Sequence, residues 1–426
     1  MFTQEDNERL VRVGPGTPMG DVLRRYWMPA LLAEELPAVD GPPVRVRLLG
    51  EDLIAFKDTE GRIGVLDRFC PHRRVDLFFG RNEECGLRCV YHGWKFDVAG
   101  NVVDMPAEPV GSPMRDEIKI KSYPAMEWGG LVWIYMGPPQ FMPPKPPELE
   151  WGLVPETHRM IGKRLQENNY AQGVEGGIDS SHVGILHSLL SAPEPGRGFR
   201  ERQVAIDPRL TYLAKDTAPK FFIRSSEYGM LIGARRKASE EEFYWRITQF
   251  LAPFYTMIAP RSPEGPIAGH AWVPIDDYNT WTFTMYWSAH KPLSEFADLD
   301  TAKVNVPVLD DGSYRPVNNR SNNYGIDRVM QRNSNSTGII GIGLQDSAIQ
   351  ETMGAIVDRS CEMLGSGDAA IVAWRKSMLA LADELEATGT LAQPLKPEIY
   401  RVRSAGIVLP KGVDFTEGAR ERMTVG

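Results

Sequence analysis

Four residues between positions 70 and 92 have the types and the spacing of a metal site. They form two mixed pairs, Cys70-x-His72 and Cys89-x2-His92, within RFCPHRRVDLFFGRNEECGLRCVYHGW. Thiolates are soft ligands and imidazoles are borderline, so two of each suit zinc or an iron–sulfur cluster. Zinc fingers usually pair cysteine with cysteine and histidine with histidine. Because each turn here offers one of each, the pattern favours a Rieske-type [2Fe–2S] cluster with two thiolates on one iron and two imidazoles on the other.

A second group of candidate ligands lies farther along the chain, in NNYAQGVEGGIDSSHVGILHSLL. Asp179, His182 and His187 are spaced as D-x2-H-x4-H. Two imidazoles and a carboxylate on one face can hold non-haem Fe(II) and leave positions open for dioxygen. On an ideal helix, residues five apart are rotated by about 140°, so the two histidines share a face only with a distortion that Gly184 would permit. The alternative is a pair of ordinary histidines on an amphipathic helix.

Composition narrows the class of protein. The chain has 426 residues, 42% of them hydrophobic, enough for a large core and for two or three domains. A formal net charge of -8 argues against a nucleic-acid partner. Four cysteines are too few for a disulfide scaffold, and Cys85 and Cys361 are interpreted as structural thiols. MFTQEDNERLVRV has no signal-peptide pattern and no apolar run approaches about 18 residues, so we expect a cytoplasmic location and no membrane span.

The segments around the Cys-His pairs predict a small β domain that would position them. PVRVRLL, DLIAFKD and RIGVLDR are short, rich in β-branched residues and separated by glycines. YHGWKFDVAGNVVDM predicts a hairpin near Gly100, EIKIKSYP alternates as a strand does, and GLVWIYM predicts an apolar strand. The six prolines of GPPQFMPPKPPELE cannot continue a sheet. We therefore place a domain boundary near residue 150, between domains over 1–150 and 151–426.

The second domain is predicted to contain an antiparallel sheet. PKFFIRSSEYGMLIGARR, EEFYWRITQFLAPFYTMIA, GHAWVPI and NTWTFTMYWSAH alternate and recur at hairpin spacing. In EFYWRITQF this alternation places Trp245 on an apolar face and Arg246 on a mixed face. The mixed face is either the solvent side or the wall of a pocket. Toward the C-terminus, GDAAIVAWRKSMLALADELEATG has the spacing of a helix that ends at a glycine.

Together, the two motifs resemble the oxygenase (α) component of Rieske non-haem iron ring-hydroxylating oxygenases, and most closely the phthalate dioxygenase family, which acts on aromatic carboxylates. The resemblance extends over essentially the whole chain. It implies an α+β fold, with an N-terminal all-β Rieske [2Fe–2S] domain and a C-terminal helix-grip domain, built on a curved antiparallel sheet, that carries a mononuclear Fe(II). Carried over by motif, the cluster ligands would be Cys70, His72, Cys89 and His92, and two iron ligands would be His182 and His187.

The resemblance gives Asp179 a different role. In such enzymes this aspartate bridges subunits by hydrogen-bonding an iron-ligand histidine on one and a cluster-ligand histidine on the next, as carboxylates that orient imidazoles do. For the third iron ligand, GLQDSAIQETMGAIVDRSCEMLG, predicted as a long helix, offers Asp346 and Asp358. Related oxygenases often place a glutamate five residues after the ligand, as Glu351 follows Asp346. Asp346 is therefore preferred and Asp358 is the reserve; a solvated helix charge is the alternative for either.

The resemblance also implies a substrate and a reaction. An aromatic carboxylate needs a guanidinium in an otherwise apolar pocket, and Arg246 is the first candidate for it, with Arg209 the second. Phthalate would need both carboxylates held and a chlorobenzoate only one, and both substrates remain open. The expected reaction is cis-dihydroxylation with dioxygen, with monooxygenation, including O-demethylation, as the alternative.

Partners are expected because the chain lacks parts of an electron-transfer chain. No G-x-G-x-x-G follows a predicted strand, and the cysteines left over provide no plant-type ferredoxin cluster. We therefore expect a separate NADH-dependent reductase with flavin and its own [2Fe–2S] cluster. The resemblance implies a homo-trimer or stacked trimers. A Rieske electron carrier would not need the long second domain, and a zinc-bound scaffold would be colourless rather than red-brown.

Overall fold

The computed structural model describes residues 2–204, 208–260, 264–296, 304 and 306–425, and it leaves out the side chains of 208–210. The chain up to the proline-rich stretch consists mainly of short antiparallel strands. In order, its elements are α1 (Gln4–Val11), α2 (Pro18–Leu23), β1 (Trp27–Leu32), β2 (Val44–Leu48), β3 (Glu51–Lys57), β4 (Ile63–Asp67), β5 (Arg81–Glu83), β6 (Gly86–Arg88), β7 (Lys95–Phe96), β8 (Val102–Asp104), α3 (Met114–Glu117), β9 (Ala125–Trp128) and β10 (Leu131–Tyr135).

Two small sheets carry the Cys-His loops. Strands β2, β3 and β4 pair in that order, and β5 to β8 form a second antiparallel sheet. The three β-branched segments and the hairpin near Gly100, whose φ is +82°, are therefore confirmed. The prediction of a strand in EIKIKSYP is wrong, because this segment crosses from one sheet to the other. Lys119 bridges to Asn101 and Ser122 to Leu66, so neither contact extends into a ladder.

The N-terminal helices share a hydrophobic core with β2 to β4 and also pack against the second part of the chain. The Tyr170 hydroxyl donates to the Leu10 carbonyl at 3.0 Å, and the Asn169 amide donates to the Val11 carbonyl at 2.9 Å. A third sheet, in the order β1-β10-β9, contributes to the same hydrophobic core. One core thus joins the chain's beginning to the helices and strands that follow the proline-rich stretch.

The rest of the chain forms a large antiparallel sheet and several helices. Its elements are α4 (Glu150–Leu153), β11 (Arg159–Gln166), α5 (Tyr170–Ile178), α6 (Val183–Leu186), β12 (Leu189–Leu190), β13 (Gln203–Val204), α7 (Pro208–Lys215), β14 (Lys220–Ser226), β15 (Gly229–Lys237), β16 (Glu242–Leu251), β17 (Tyr255–Ile258), β18 (Ile267–Pro274), β19 (Thr280–Trp287), α8 (Arg328–Asn333), α9 (Ile342–Thr352), α10 (Ala369–Thr388), β20 (Ala405–Pro410), α11 (Phe415–Gly418) and α12 (Arg420–Met423).

The large sheet has the order β11-β19-β18-β17-β16-β15-β14, with β20 also paired to β16. Its two faces are covered differently. On the outer face, Trp245 stacks on Phe415 of α11, with ring centroids 4.8 Å apart. Arg246 projects from the opposite face and lines a cavity. The mixed face of β16 is therefore the wall of a pocket rather than the solvent side. The predicted α+β class, with a β domain followed by helices on a curved antiparallel sheet, is confirmed.

Helix α5 lies against the inner face of this sheet, and its glycines explain how closely it packs. A Cβ atom on Gly173 would overlap the Trp272 ring, and one on Gly177 would overlap Thr256. The motif YAQGVEGGI is therefore a close-packed helix surface, despite the cost of glycine within a helix. The C-terminal end of α5 is held at a fixed height over the sheet, and Asp179 caps that end.

The predicted C-terminal helix is also present. Helix α10 ends where expected, at Gly389, which adopts a left-handed conformation with φ +73°. None of the helices within the described ranges is both long enough and apolar enough to cross a membrane.

Candidate functional site: an iron–sulfur loop pair and a mononuclear metal centre

The two Cys-His loops have the same backbone geometry although their spacings differ. In the first loop the Cys70 carbonyl accepts from Arg74 N–H at 2.8 Å, and in the second the Cys89 carbonyl accepts from Gly93 N–H at 3.0 Å. Arg74 and Gly93 both have left-handed backbones, with φ of +58° and +77°. Each loop therefore turns back on its cysteine and projects its histidine from the same end of the domain.

The four side chains separate by type. Cys70 and Cys89 are buried next to each other, whereas the rings of His72 and His92 have centroids 4.5 Å apart nearer the surface. Three ligand atoms converge within 4.8 Å at only two places among the described residues, and neither place includes these four. His92 Nδ1 is buried and has no hydrogen-bond partner within the described structure. A thiol pair and an imidazole pair suit a two-iron cluster better than one tetrahedral zinc ion.

His182 and His187 come together because the helix between them is only one turn long. Helix α6 covers Val183–Leu186, so His182 precedes it and His187 follows it. The angular conflict expected on an ideal helix therefore does not arise. Gly184 has another role: a Cβ atom there would lie 2.6 Å from the Leu213 carbonyl oxygen of α7. The glycine permits the contact between the two helices.

Asp346, on α9, completes a group of three. Its Oδ1 lies 3.2 Å from His187 Nε2 and 3.6 Å from His182 Nε2. Burial by itself would raise the pKa of Asp346, but the two imidazoles outweigh burial and lower it, so the carboxylate is ionised. Two imidazole nitrogens and one carboxylate oxygen facing one point fit a mononuclear Fe(II) with open positions.

Asp358 lies elsewhere, and the prediction of one long helix through both aspartates is wrong. Helix α9 ends at Thr352, and Gly354 follows with φ +99°, a conformation that ends the helix. Asp358 instead begins a short 3-10 turn, where it accepts from the Ser360 N–H at 3.0 Å. Of the two candidate third ligands, only Asp346 lies beside the histidine pair.

Both histidines are oriented through Nδ1, which leaves Nε2 toward Asp346. His182 Nδ1 is 3.0 Å from Asp179 Oδ2, and His187 Nδ1 is 2.7 Å from Gln345 Oε1. Gln345 also donates to the Ile339 carbonyl at 2.9 Å, so it is fixed at both ends. Hydrogen bonds of this kind set the tautomer and the direction of a metal-ligating imidazole. Sequence reasoning missed Gln345; its position next to Asp346 on α9 is the signal that could have identified it.

Replacing Gln345 with leucine is expected to weaken iron binding about 10- to 100-fold, because His187 would lose the acceptor that fixes its Nδ1–H tautomer. The measurement is iron content after dialysis against a graded chelator, with the cluster absorbance as an internal reference. Gln345→Glu, which keeps an acceptor oxygen, should retain most of the iron. Equal iron retention in the leucine variant and the unsubstituted protein would show that Gln345 does not orient the ligand.

A cavity of about 490 Å³ opens beside this group of three. Arg246 lines it and is 9% exposed. The only hydrogen bond found for the Arg246 side chain within the described residues is a long one, 3.4 Å, to Thr248 Oγ1, and it has no ion pair there. By contrast, buried Arg236 donates to the Ser180 carbonyl at 2.7 Å and to the Asp216 carbonyl at 3.0 Å. Arg246 is therefore a cation whose donors are largely free for a ligand.

Arg209, the second candidate anchor, falls within α7, but its side chain lies outside the described residues. The remaining cavity wall is mostly apolar. It includes Val183, Leu213, Ile258, Ala268, Trp272 and Ile342. An apolar wall with one buried guanidinium is the environment expected for a small aromatic anion.

Comparison with known proteins agrees with this geometry. Residues 26–124 match the Rieske [2Fe-2S] domain, and residues 134–424 match the family described as LigXa C-terminal domain like. The cluster loops lie in the first match and the histidine pair with Asp346 in the second. The chain therefore belongs to the Rieske oxygenases, as an oxygenase subunit of this family.

Within that class, two relatives that match over nearly their whole length are named as dioxygenase oxygenase subunits. The chain is 40% identical to the phthalate 4,5-dioxygenase oxygenase subunit of Pseudomonas putida, over 98% of this chain and 94% of the relative. It is 36% identical to the 3-chlorobenzoate-3,4-dioxygenase oxygenase subunit of Comamonas testosteroni, over 99% of both. It is also 42% identical to the 5,5'-dehydrodivanillate O-demethylase oxygenase subunit of a Sphingobium strain, over 45% of each chain.

Solved structures support the fold alone, because their sequence identity is low. NdmA of Pseudomonas putida CBB5, as a mutant with theobromine, superposes with a TM-score of 0.60 at 17% identity, over 93% of this chain and 99% of that one. The terminal oxygenase of carbazole 1,9a-dioxygenase from Nocardioides aromaticivorans IC177 gives 0.55 at 19% identity, over 89% and 96%.

Proposed function

We propose that this chain binds an aromatic carboxylate through Arg246 and cis-dihydroxylates its ring. The observation that carries the proposal is a buried guanidinium with no ion-pair partner among the described residues, in the same cavity as His182, His187 and Asp346. Arg246 has no direct ion pair among the described residues, and the carboxylates of Asp179 and Asp346 favour its charge only from a distance. A buried cation without a contact partner is costly, and a substrate carboxylate would supply that partner. Phthalate and chlorobenzoates, the substrates named for two relatives, both carry such a group.

The geometry supports a role for each of the candidate site residues. We assign Cys70, Cys89, His72 and His92 to the cluster, and His182, His187 and Asp346 to a mononuclear iron. When bound, the cluster would supply electrons one at a time and the iron would activate dioxygen. The protein contributes a mostly apolar cavity that limits water and a fixed cation that orients the ring. Overall, one ring, one dioxygen, two electrons and two protons give one cis-dihydrodiol.

Asp179 is assigned a role between subunits. Its Oδ2 holds His182 Nδ1, and its pKa is lowered by His182 despite burial, so it is an ionised acceptor. His72 is exposed, so a carboxylate of a neighbouring chain could form a hydrogen bond with it. A homo-trimer or stacked trimers would supply that neighbour. Sedimentation analysis tests this assembly, and a monomer with full turnover would contradict it.

Electrons must come from another protein. Because this chain is an oxygenase subunit of a multicomponent system, a separate reductase is implied. We propose that this reductase is NADH-dependent and carries flavin and its own [2Fe–2S] cluster. The cytoplasmic location remains a prediction.

Replacing Arg246 with leucine is expected to weaken benzoate binding about 10- to 150-fold, because a charge-assisted hydrogen bond contributes about 1.5–3 kcal/mol. Isothermal titration of the metal-loaded protein with benzoate measures this. Arg235→Leu is the matched control, since Arg235 lies on the neighbouring strand and stacks on Phe243, on the outer face. Unchanged benzoate affinity in Arg246→Leu would remove the proposed anchor.

Monooxygenation is the second candidate, favoured by the similarity to the O-demethylase subunit over part of the chain. The residues assigned to the cluster and iron would serve both reactions, and only the placing of the ring differs. The number of oxygen atoms from labelled dioxygen in the product distinguishes them: two for dioxygenation and one for monooxygenation.

A further inference from the structure

His270 is a second polar group in the substrate cavity, and neither the metal centre nor the carboxylate anchor uses it. It lies on β18, where it pairs with Thr256 of β17 and with Thr284 of β19. Its side chain lines the same cavity of about 490 Å³ as Arg246 and the metal-ligand group. It is therefore placed to contact whatever occupies that cavity.

The His270 ring is held in place but has unused hydrogen-bonding capacity. It stacks on Trp272, with ring centroids 5.0 Å apart and planes 29° apart. Nδ1 is buried, and no hydrogen bond to either ring nitrogen is found within the described structure. Because Nδ1 has almost no accessible surface, the ring nitrogen available to a ligand in the cavity is Nε2, for which the described structure shows no partner.

The imidazole is uncharged. Burial, with a smaller contribution from the guanidinium of Arg164, lowers the pKa of His270 to about 3. A neutral imidazole offers one N–H donor and one acceptor and no net charge. It therefore suits a hydroxyl or an ether oxygen better than a second carboxylate, which would need a cation.

His270 and Arg246 lie at different ends of the cavity. Phe250 of β16 pairs with Thr256, which pairs with His270, so His270 is two strands away from β16. Arg246 is four residues back along β16. At strand spacings of about 4.8 Å and about 3.3 Å per residue, the two Cα atoms are roughly 16 Å apart. Both side chains line the cavity that Asp346 also lines, so a ring in that cavity would lie between them, beside the metal centre.

We propose that His270 determines substrate specificity by hydrogen-bonding an uncharged polar substituent on the side of the ring away from the carboxylate. This inference rests on the proposed function, because the carboxylate at Arg246 sets which side of the ring faces His270. It predicts that, among aromatic carboxylates, those that carry a meta or para hydroxyl or alkoxy group bind more tightly than the unsubstituted ones.

The test compares ligands that differ by one hydroxyl in the metal-loaded protein. Isothermal titration with benzoate and 3- and 4-hydroxybenzoate gives the affinity gained from the hydroxyl. We expect a gain of about tenfold for at least one isomer, lost in His270→Phe and partly kept in His270→Gln, with benzoate affinity changed much less. His270→Phe keeps a ring over Trp272, and His290→Gln is an exposed control. The proposal is overturned if the hydroxyl adds no affinity in the unsubstituted protein, or if His270→Phe leaves that added affinity unchanged.

Two further measurements keep the outcomes separable. Toluene and 3-cresol differ by one hydroxyl and have no carboxylate. A higher affinity for 3-cresol than for toluene that is lost in His270→Phe would support the role of His270. If Arg246→Leu also left the affinity for benzoate unchanged, the carboxylate anchor would be contradicted while the role of His270 stood. If His270→Phe does not retain the cluster absorbance, His270→Gln and His270→Leu are compared instead. A hydroxyl gain equal in both would then overturn the proposal, since leucine cannot hydrogen-bond.

Discussion

Asp346→Ala is expected to abolish ring oxygenation while leaving the iron–sulfur cluster intact. Asp346 Oδ1 lies within 3.6 Å of both histidine Nε2 atoms, so its loss would leave two imidazoles and no carboxylate at the metal. We expect turnover to fall by at least about 10³-fold, equivalent to about 4 kcal/mol of barrier. The measurements are product formation with a reductase, iron content and the visible spectrum of the cluster. Mononuclear iron should fall while the cluster spectrum is unchanged.

Asp358→Ala is the matched control for that substitution. Asp358 lies on the same stretch of chain but begins a separate exposed turn, away from the metal centre. Its removal should leave turnover within about twofold, as surface substitutions usually have small effects. If Asp358→Ala lost activity and Asp346→Ala kept it, the assignment of the third ligand would be reversed.

Glu175→Ala is expected to destabilise the protein by about 3–5 kcal/mol, because it removes the carboxylate that two buried arginines share. Arg375 would keep its ion pair with Glu362, but Arg359 would lose the one ion pair found for it among the described residues. Glu175 Oε1 accepts from Arg359 Nε at 2.8 Å and from Arg375 Nε at 2.7 Å. Arg359 also donates to Asn7 of α1 at 3.0 Å. This group of buried ion pairs connects α5, which carries Asp179 at its end, to α1 and α10. Denaturant unfolding followed by fluorescence measures the loss.

Glu227→Ala provides the comparison for stability. Glu227 makes an exposed ion pair with Lys396 at 3.5 Å, and such pairs contribute about 0–1 kcal/mol. A loss in Glu175→Ala no larger than that in Glu227→Ala would mean that the buried ion cluster is not what fixes α5.

The sequence alone was enough to propose those ligands that lie close together in the chain. Cys70 with His72, Cys89 with His92, and His182 with His187 are separated by a few residues, so their spacing alone shows a pattern. The strands were predictable for a related reason, since alternation and turn residues are local properties. Arg246 could be identified from the sequence because alternation assigned it to the mixed face of β16.

The remaining site residues depend on contacts that are distant in sequence. Gln345 meets His187 across 158 positions, and His270 reaches the cavity only because β17, β18 and β19 pair in register. The choice between Asp346 and Asp358 depended on where α9 ends, and helix ends are hard to place from sequence. The segment EIKIKSYP alternates like a strand, but its partners lie in two different sheets, which alternation does not reveal.

Product analysis under ¹⁸O-labelled dioxygen tests the central claim most directly. The protein, loaded with iron and supplied with NADH and a reductase, is offered phthalate, isophthalate, benzoate and 3-chlorobenzoate, and the products are weighed by mass spectrometry. The proposed function predicts that at least one carboxylate gains two labelled oxygen atoms, and that Arg246→Leu greatly reduces this product. If NADH is consumed and no carboxylate is oxidised, the proposed substrate class is wrong.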